Sequence, residues 1–329
     1  MRRSRIVVAI SLLVLALGSA GAAVAWYLDP GRSAVGPLPG EGLSLPAETR
    51  FLAGLDVPRF VASPFYERAR KGAGTDALAE IEKHTGLDPE RDVDTLVIAG
   101  QGGASAAGGL VLVKGRFDRY KVTRAIEQEK KAVTWKQQDG VTIYVLREGK
   151  KDAGALAFLS DDVFVIGDQR AVERMVSGRA AGKADLRGNE QLMGLLGQVR
   201  AGATFWAVGD QTALSHAPRS LPGARGASLP LPGLKSVVLT GDLDPLIAVE
   251  LTGEAEDEKA ARGLGDVVKG FVALATLQAS SKPELGELAQ SVSVTTDGTR
   301  VQVSARVPYT LLDALEAKPA AASAPIASR

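Results

Sequence analysis

The stretch DTLVIA at 94–99, followed after a glycine-rich turn by GLVLVKGRF at 109–117, decides the fold of this chain. Both segments are short, apolar and bounded by turn residues, which predicts two strands that pair through the turn. Strands joined by short turns pair in the antiparallel sense. The same order recurs later in the chain, where KSVVLTG at 235–241 and LIAVEL at 246–251 occupy matching places.

The rest of each half follows the same order. The opening segments RFLAGLD (50–56) and TFWAVGD (204–210) correspond, and each half closes with two strands and a short helix. In the second half, Asp297-Gly298 predicts that these two strands form a hairpin. The shared order predicts an internal duplication. The expected fold class is therefore α+β, with a mostly antiparallel sheet built from two related halves and helices packed on one face.

Composition and pattern divide the chain into six segments. They are a signal-anchor or transmembrane helix at 1–28, a Gly/Pro-rich linker at 29–48, a first α+β half at 49–180, a connecting helix at 181–200, a second α+β half at 201–316 and a disordered tail at 317–329. Helical spacing predicts a helix at 119–133. It also predicts the longest soluble helix at 257–278, with Ala261, Leu264, Val268, Phe271 and Ala275 facing inward.

The segment Ile6–Leu28 is apolar from end to end and follows three arginines within the first five residues. As a helix it would reach roughly 34 Å, enough to cross a hydrocarbon core of about 30 Å. The preceding arginines place the N-terminus in the cytoplasm and the rest of the chain outside it. We therefore expect a single-pass protein of the inner membrane with an extracytoplasmic domain.

A cleaved signal peptide is the alternative, and it would release the protein into the periplasm. Ala20-Gly21-Ala22 and Ala23-Val24-Ala25 both have the small-x-small pattern of a cleavage site. The uninterrupted apolar length and the aromatic end at Trp26 and Tyr27 favour a retained anchor, because such rings prefer the membrane interface.

Composition limits the classes of function. The formal net charge is +1 over 329 residues, and the basic N-terminal tip accounts for more than that excess. A nearly neutral domain has no global electrostatic reason to bind nucleic acid, so no nucleic-acid partner is expected. The chain has no cysteine, which excludes disulfides, thiolate zinc sites and iron–sulfur ligation.

The motifs that suggest chemistry are weak. The loop at Gly100–Gly103 precedes a strand, whereas a dinucleotide fingerprint precedes a helix. His84 and His216 have no second histidine nearby, and a metal site needs three or four ligands. The pairs Asp161-Asp162 and Asp242-Leu243-Asp244 fall at predicted turns, where aspartate bonds its own backbone. No catalytic, cofactor-binding or metal-ligating residue is therefore assigned, and no cofactor is expected.

The proline-rich loop at 217–233 interrupts the repeated pattern. Long loops in compact domains are often functional or disordered. Two basic side chains lie beside leucines in this one, which makes it a candidate partner-binding loop. The residues concerned are Arg219, Leu221, Arg225, Leu229 and Leu231.

One passage resembles known proteins. Residues 76–100, which run from a helix through GLDP to RDVDTLVIAG, and the following GGLVLVKGRFD are similar to uncharacterised bacterial envelope proteins. Those proteins have one N-terminal membrane anchor and an α+β ectodomain. The likeness covers mainly residues 50–178. It implies an envelope location and transfers no activity.

The sequence favours a non-enzymatic binding or scaffold protein, with an envelope protein, peptide or lipid as its partner and the membrane contacted through residues 6–28. Two alternatives remain open. One is an envelope hydrolase that uses carboxylates brought together by folding. The other is a carrier with an apolar cavity for a lipid or small molecule.

Overall fold

A computed structural model describes residues 38–72, 76–100, 109–128, 133–146, 153–181, 185–215 and 233–316. These residues form one twelve-stranded antiparallel sheet. Its strands are β1 Phe51–Asp56, β2 Val93–Gly100, β3 Leu110–Gly115, β4 Val133–Gln138, β5 Val141–Leu146, β6 Gly154–Phe158, β7 Val163–Asp168, β8 Phe205–Asp210, β9 Leu234–Asp242, β10 Ile247–Ala255, β11 Val292–Asp297 and β12 Arg300–Val307.

Helices connect and cover these strands. They are α1 Val57–Val61, α2 Pro64–Gly72, α3 Asp76–Thr85, α4 Pro89–Asp92, α5 Arg119–Gln128, α6 Gln169–Ala181, α7 Glu190–Leu196, α8 Gln211–Ser215, α9 Glu258–Gln278, α10 Pro283–Gln290 and α11 Tyr309–Glu316. The predicted α+β class with a large antiparallel sheet is confirmed. No helix of the described residues combines the length and apolar character needed to cross a bilayer, and the segment Ile6–Leu28 lies outside them.

The pairing of β1 with β8 at the centre joins two runs of strands. The sheet order is β11-β12-β10-β9-β8-β1-β2-β3-β7-β6-β5-β4. The first strand run (β1–β7) therefore lies on one side of this pair and the second strand run (β8–β12) on the other. The register places Ala53 opposite Ala207.

In the first strand run, both faces of the sheet are apolar. Successive side chains of a strand point to opposite faces. Leu96 and Val113 belong to one buried cluster, on the front face, while Val97 and Leu112 belong to another, on the back face. Helices α1, α2, α5 and α11 contribute to the front cluster, whereas α6 and α7 contribute to the back one. The prediction that helices cover one face was therefore wrong.

Beyond β8 and β9, the second strand run is apolar on its front face only. Trp206, Val208 and Val238 of β8 and β9 still belong to the back cluster. Val249 and Val307 join the front cluster, and α9 adds a small cluster there through Ala261 and Leu264. The alternate residues of β10 and β12 are polar, and the back face of these strands includes Glu250, Thr252, Gln302 and Ser304. Antiparallel sheets commonly have one face packed on the core and the other exposed to solvent.

A missing side chain at Gly54 lets the two central strands pack. Gly54 stands opposite Trp206, and a Cβ at position 54 would lie 2.3 Å from two atoms of the indole ring. Trp206 is 2% exposed, so its ring has no open space to move into. The largest buried side chain of the back cluster therefore depends on a glycine in the neighbouring strand.

Two predicted elements differ from the structure. The helix expected at 119–133 ends at Gln128 within the described residues, and Val133 begins the edge strand β4. Asp139 and Gly140, both with positive φ, close the β4–β5 hairpin. The segment expected as a connecting helix at 181–200 contains α7 and a 3-10 turn at Leu186–Gly188.

Helix α9 comes closest to the sheet at Gly265. A Cβ at this position would lie 2.7 Å from Oγ1 of Thr296 on β11. That hydroxyl is buried and has no hydrogen-bond partner among the described residues. The contact is tight, and it leaves one polar atom unsatisfied beneath the helix.

We expect Gly54→Ala to lower the free energy of unfolding by about 2 kcal/mol, because the added methyl overlaps the buried Trp206 ring. Gly154→Ala is the matched control, since its Cβ would meet the nearest atom at 3.4 Å, an ordinary contact, in strand β6. Urea denaturation followed by tryptophan fluorescence measures both. Equal stability of the two variants would contradict the packing described for Trp206.

In α9, we expect Gly263→Ala and Gly265→Ala to have opposite effects. A Cβ at Gly263 meets nothing within 4 Å, so the better helix former should stabilise by about 1 kcal/mol. Gly265→Ala should destabilise, because its methyl meets Thr296. Thr296→Val removes the unsatisfied hydroxyl and should be neutral or stabilising by about 1 kcal/mol. Denaturation midpoints test all three, and a stabilising Gly265→Ala would refute the close approach.

Candidate interaction surface

The candidate partner-binding loop lies outside the described residues. Arg219, Leu221, Arg225, Leu229 and Leu231 all fall within 216–232. The structure describes the chain again from Gly233, which has a φ of 74° and lies beside Ala260 near the start of α9. Partner binding by this loop stays a prediction.

Neither the glycine-rich loop nor the histidines form a described site. Gly100 is the last residue of β2, and residues 101–108 lie outside the described chain. His84 lies on α3, and His216 falls outside the described residues. The described residues contain no group of three or more His, Asp or Glu side chains that could hold a metal ion.

The turn aspartates do not converge. Asp162 accepts a hydrogen bond from Oγ of Ser160 at 2.8 Å and lies 3.4 Å from the ammonium of Lys114. The hydrogen bond from Ser160 and the nearby Lys114 lower the pKa of Asp162. Asp242 pairs instead with Arg200 and accepts the backbone N–H of Thr204 at 3.2 Å.

The two sites are far apart. Strands β7 and β9 are five steps apart in the sheet, which is roughly 24 Å at ~4.8 Å per strand. Asp162 and Asp242 therefore cannot act as one acid/base pair. The structure gives the hydrolase alternative no assembled carboxylates at these turns.

The tyrosines with raised pKa values support the fold. The Tyr66 hydroxyl donates to Glu90, and burial together with this carboxylate raises the pKa of Tyr66. Burial also raises the pKa of Tyr309 to about 12, and its hydroxyl donates to the carbonyl of Leu243 at 2.6 Å. Each hydroxyl thus serves as a hydrogen-bond donor at neutral pH.

An ion pair between Arg68 and Asp313 joins two helices beside Tyr309. The guanidinium of Arg68 lies 5.0 Å from the centre of the Tyr309 ring. It also binds both carboxylate oxygens of Asp313, with one pair at 2.9 Å. These contacts join α2 to α11, so they have a structural explanation.

An exposed apolar surface runs along the C-terminal part of α9. Val267, Phe271, Leu274 and Leu277 recur every three or four residues, so they lie on one side of the helix. We call this set the α9 stripe. Phe271 is 45% exposed, Leu274 51% and Leu277 76%. Val267 is half-buried.

The rest of α9 explains why the stripe is uncovered. Ala261, Leu264 and Gly265 are buried, and no residue from Asp266 to Gln278 is. The helix α10 returns along α9, and a Cβ at Gly286 would lie 2.8 Å from the Cβ of Ala279. The sheet and α10 thus cover one side of α9, and the stripe lies on a flank that no described residue buries.

The expectation that Phe271 faces inward was wrong. Residues 267–277 (VVKGFVALATL) contain a single charged side chain, Lys269. Apolar residues therefore occupy most of the helix circumference, more than one side of a sheet can cover. The width of this apolar arc is the sequence signal for an uncovered surface.

Charges near the stripe are few. Between 266 and 282 the charged side chains are Asp266, Lys269 and Lys282. Asp266 Oδ1 lies 3.9 Å from Nζ of Lys269. Glu284 and Glu287 follow on α10, so the surface presents leucine and phenylalanine side chains with no cationic excess nearby. Tyr120 and Trp135 are exposed as well, but they lie on α5 and on the edge strand β4.

No protein-family model matches the chain, and no curated protein matches it. Among solved structures, crystal form III of TP0453 is 10% identical with a TM-score of 0.48, over 82% of this chain and 95% of that one. Crystal form IV of TP0453 is 11% identical with a TM-score of 0.46, over 89% and 98% of the respective chains. Crystal form I is 9% identical with a TM-score of 0.44, over 85% and 97%. A likeness at this level assigns neither a family nor a function.

Proposed function

We propose that this chain is a non-enzymatic binding or scaffold protein of the bacterial envelope, and that it contacts its partner through the α9 stripe. The observation that carries the proposal is the exposure of Phe271, Leu274 and Leu277 on one side of one helix. Apolar residues exposed singly are normal on protein surfaces, whereas the largest contiguous apolar patch of a monomer is often functional. The partner is an envelope protein, peptide or lipid.

The proposal includes the location. Ile6–Leu28 would hold the domain at the inner membrane, with the N-terminus in the cytoplasm and the sheet on the extracytoplasmic side. The resemblance of residues 50–178 to envelope proteins with an N-terminal anchor supports the same location. Release into the periplasm after cleavage is the alternative.

We further propose that the domain arose by internal duplication. Two registers support this. Ala53 and Ala207 hold the same position in RFLAGLD and TFWAVGD, and they pair with each other. Gly54 pairs with Val97, and their counterparts Val208 and Val238 also pair.

Other features limit how far the duplication extends. Ile98 pairs with Val111, whereas its counterpart Leu239 pairs with Leu251. The match of LVLVKG with LIAVEL would put Ile247 in that place, so the second run is shifted by four residues. The closing helices also differ, since α6 packs on the back face and α11 on the front face. The proposed repeat is therefore strongest at the three central strand pairs.

We expect the double variant Leu274→Ser, Leu277→Ser to lose binding and keep its stability, because both side chains are exposed. The assay is a pull-down in which the full-length chain is incubated with solubilised envelope components. The amount of bound component is measured and should saturate as its concentration rises. Tyr120→Ser, Trp135→Ser is the matched control, since it also removes two exposed apolar side chains. Equal recovery by both variants would remove the stripe as the contact surface.

The anchor is tested separately. We expect mass spectrometry of the protein purified from membranes to find an intact Ile6–Leu28 segment. A mature N-terminus immediately after residue 22 or 25 would instead establish cleavage. In that case the periplasmic alternative would replace the anchored one.

A further inference from the structure

We propose that the α9 stripe docks on the lipid surface of the membrane that anchors the chain, with Phe271, Leu274 and Leu277 inserted among the lipids. This inference rests on the proposed function, because it requires Ile6–Leu28 to remain as an anchor. It replaces an unspecified envelope partner with one occupant, the bilayer.

The first argument is the size of the surface. The exposed parts of Phe271, Leu274 and Leu277 amount to roughly 300 Å² if each side chain offers ~200 Å². A stable protein interface buries about 800 Å² on each partner. The stripe is therefore small for a protein partner or a second copy of the chain. A bilayer requires no such area, since an interfacial helix binds by placing a few large apolar side chains below the headgroups.

The second argument is the tether. The described structure begins at residue 38, about ten residues after the apolar segment ends, and an extended chain of that length spans at most ~34 Å. The sheet itself is wider, roughly 50 Å across twelve strands at ~4.8 Å spacing. The domain is thus held closer to the bilayer than its own width. Leu38 and Leu45, at the start of the described chain, pack on the back face, so the domain must turn on its tether for the front-face helix α9 to reach the lipid. Within that reach, the effective concentration of the bilayer favours weak contacts.

The third consideration is charge. The stripe contains no charged residue, and the segment 266–282 carries Lys269 and Lys282 against Asp266 alone. Asp266 is next to Lys269. Glu284 and Glu287 follow on α10, so the charges around the stripe give anionic headgroups no advantage, and docking rests on the apolar side chains. Lys282 lies between α9 and α10, near the most exposed stripe residue, Leu277.

The absence of cysteine in the chain allows a direct test. Leu277→Cys in the full-length protein is labelled with an environment-sensitive fluorophore and reconstituted in vesicles of phosphatidylethanolamine and phosphatidylglycerol. Arg262→Cys is the matched control, because Arg262 is 65% exposed on the polar side of the same helix. Nitroxide lipids report contact with the bilayer, and aqueous iodide reports contact with water.

We expect nitroxide lipids to quench the label at 277 several-fold more strongly than the label at 262, and iodide to show the reverse order. Equal access of iodide to both labels would overturn lipid docking. Protection of the label at 277 from both quenchers would also overturn it, because a segment of the chain itself would then cover the stripe. The pull-down of the Leu274→Ser, Leu277→Ser variant judges the proposed function independently, so a protein partner could survive the failure of lipid docking.

Discussion

The antiparallel pairing of β1 with β8 is the constraint on which the rest of the structure depends. It makes one sheet out of two strand runs that lie far apart in sequence, and its register is centred on Ala53 and Ala207. At the next position along β1, Trp206 lies across Gly54 on the back face. Without the glycine, the indole could not fill the space between β1 and α7, and the back cluster would lose its largest side chain.

The two strand runs share one sheet, but helices cover them differently, so the domain is asymmetric. The first run needs helices on both faces, and α6 and α7 supply the second layer. Beyond β9 the back face of the second run is polar, and α9 and α11 pack on its front face. There α9 is 21 residues long, whereas α5, in the corresponding place after β3, has 10. The sheet covers the first turns of α9, and the additional length carries the apolar stripe.

The sequence predicted those parts of the fold that local chemistry determines. Alternation and turn residues located most strands, and Asp297-Gly298 located the last hairpin. Asp139-Gly140 is the same signal, and it indicated a strand before it as well as after it. VTWKQQ was missed because the predicted helix took Val133 as its last residue, and the remaining residues are mostly polar, as exposed edge strands are. The burial of both faces of the first run could also have been predicted. VFVIGD and LVLVKG are apolar at consecutive positions, as strands buried on both faces are. Tertiary packing decided the rest, including the short α10.

The candidate surface is where prediction from helical spacing failed, although the wide apolar arc of α9 was a signal for it. Helical spacing shows which residues of α9 lie on the same side of the helix. It does not show how many sides of the helix are buried by other elements. Burial of Phe271 would have stabilised the fold. Each Å² of apolar surface removed from water contributes about 25 cal/mol to the folding free energy, and the exposed leucine and phenylalanine side chains do not make this contribution. Exposed polar positions on α9 would serve folding equally well without that loss. An ordered helix that keeps three large apolar side chains in water is therefore better explained by a contact made outside the described domain than by the fold itself.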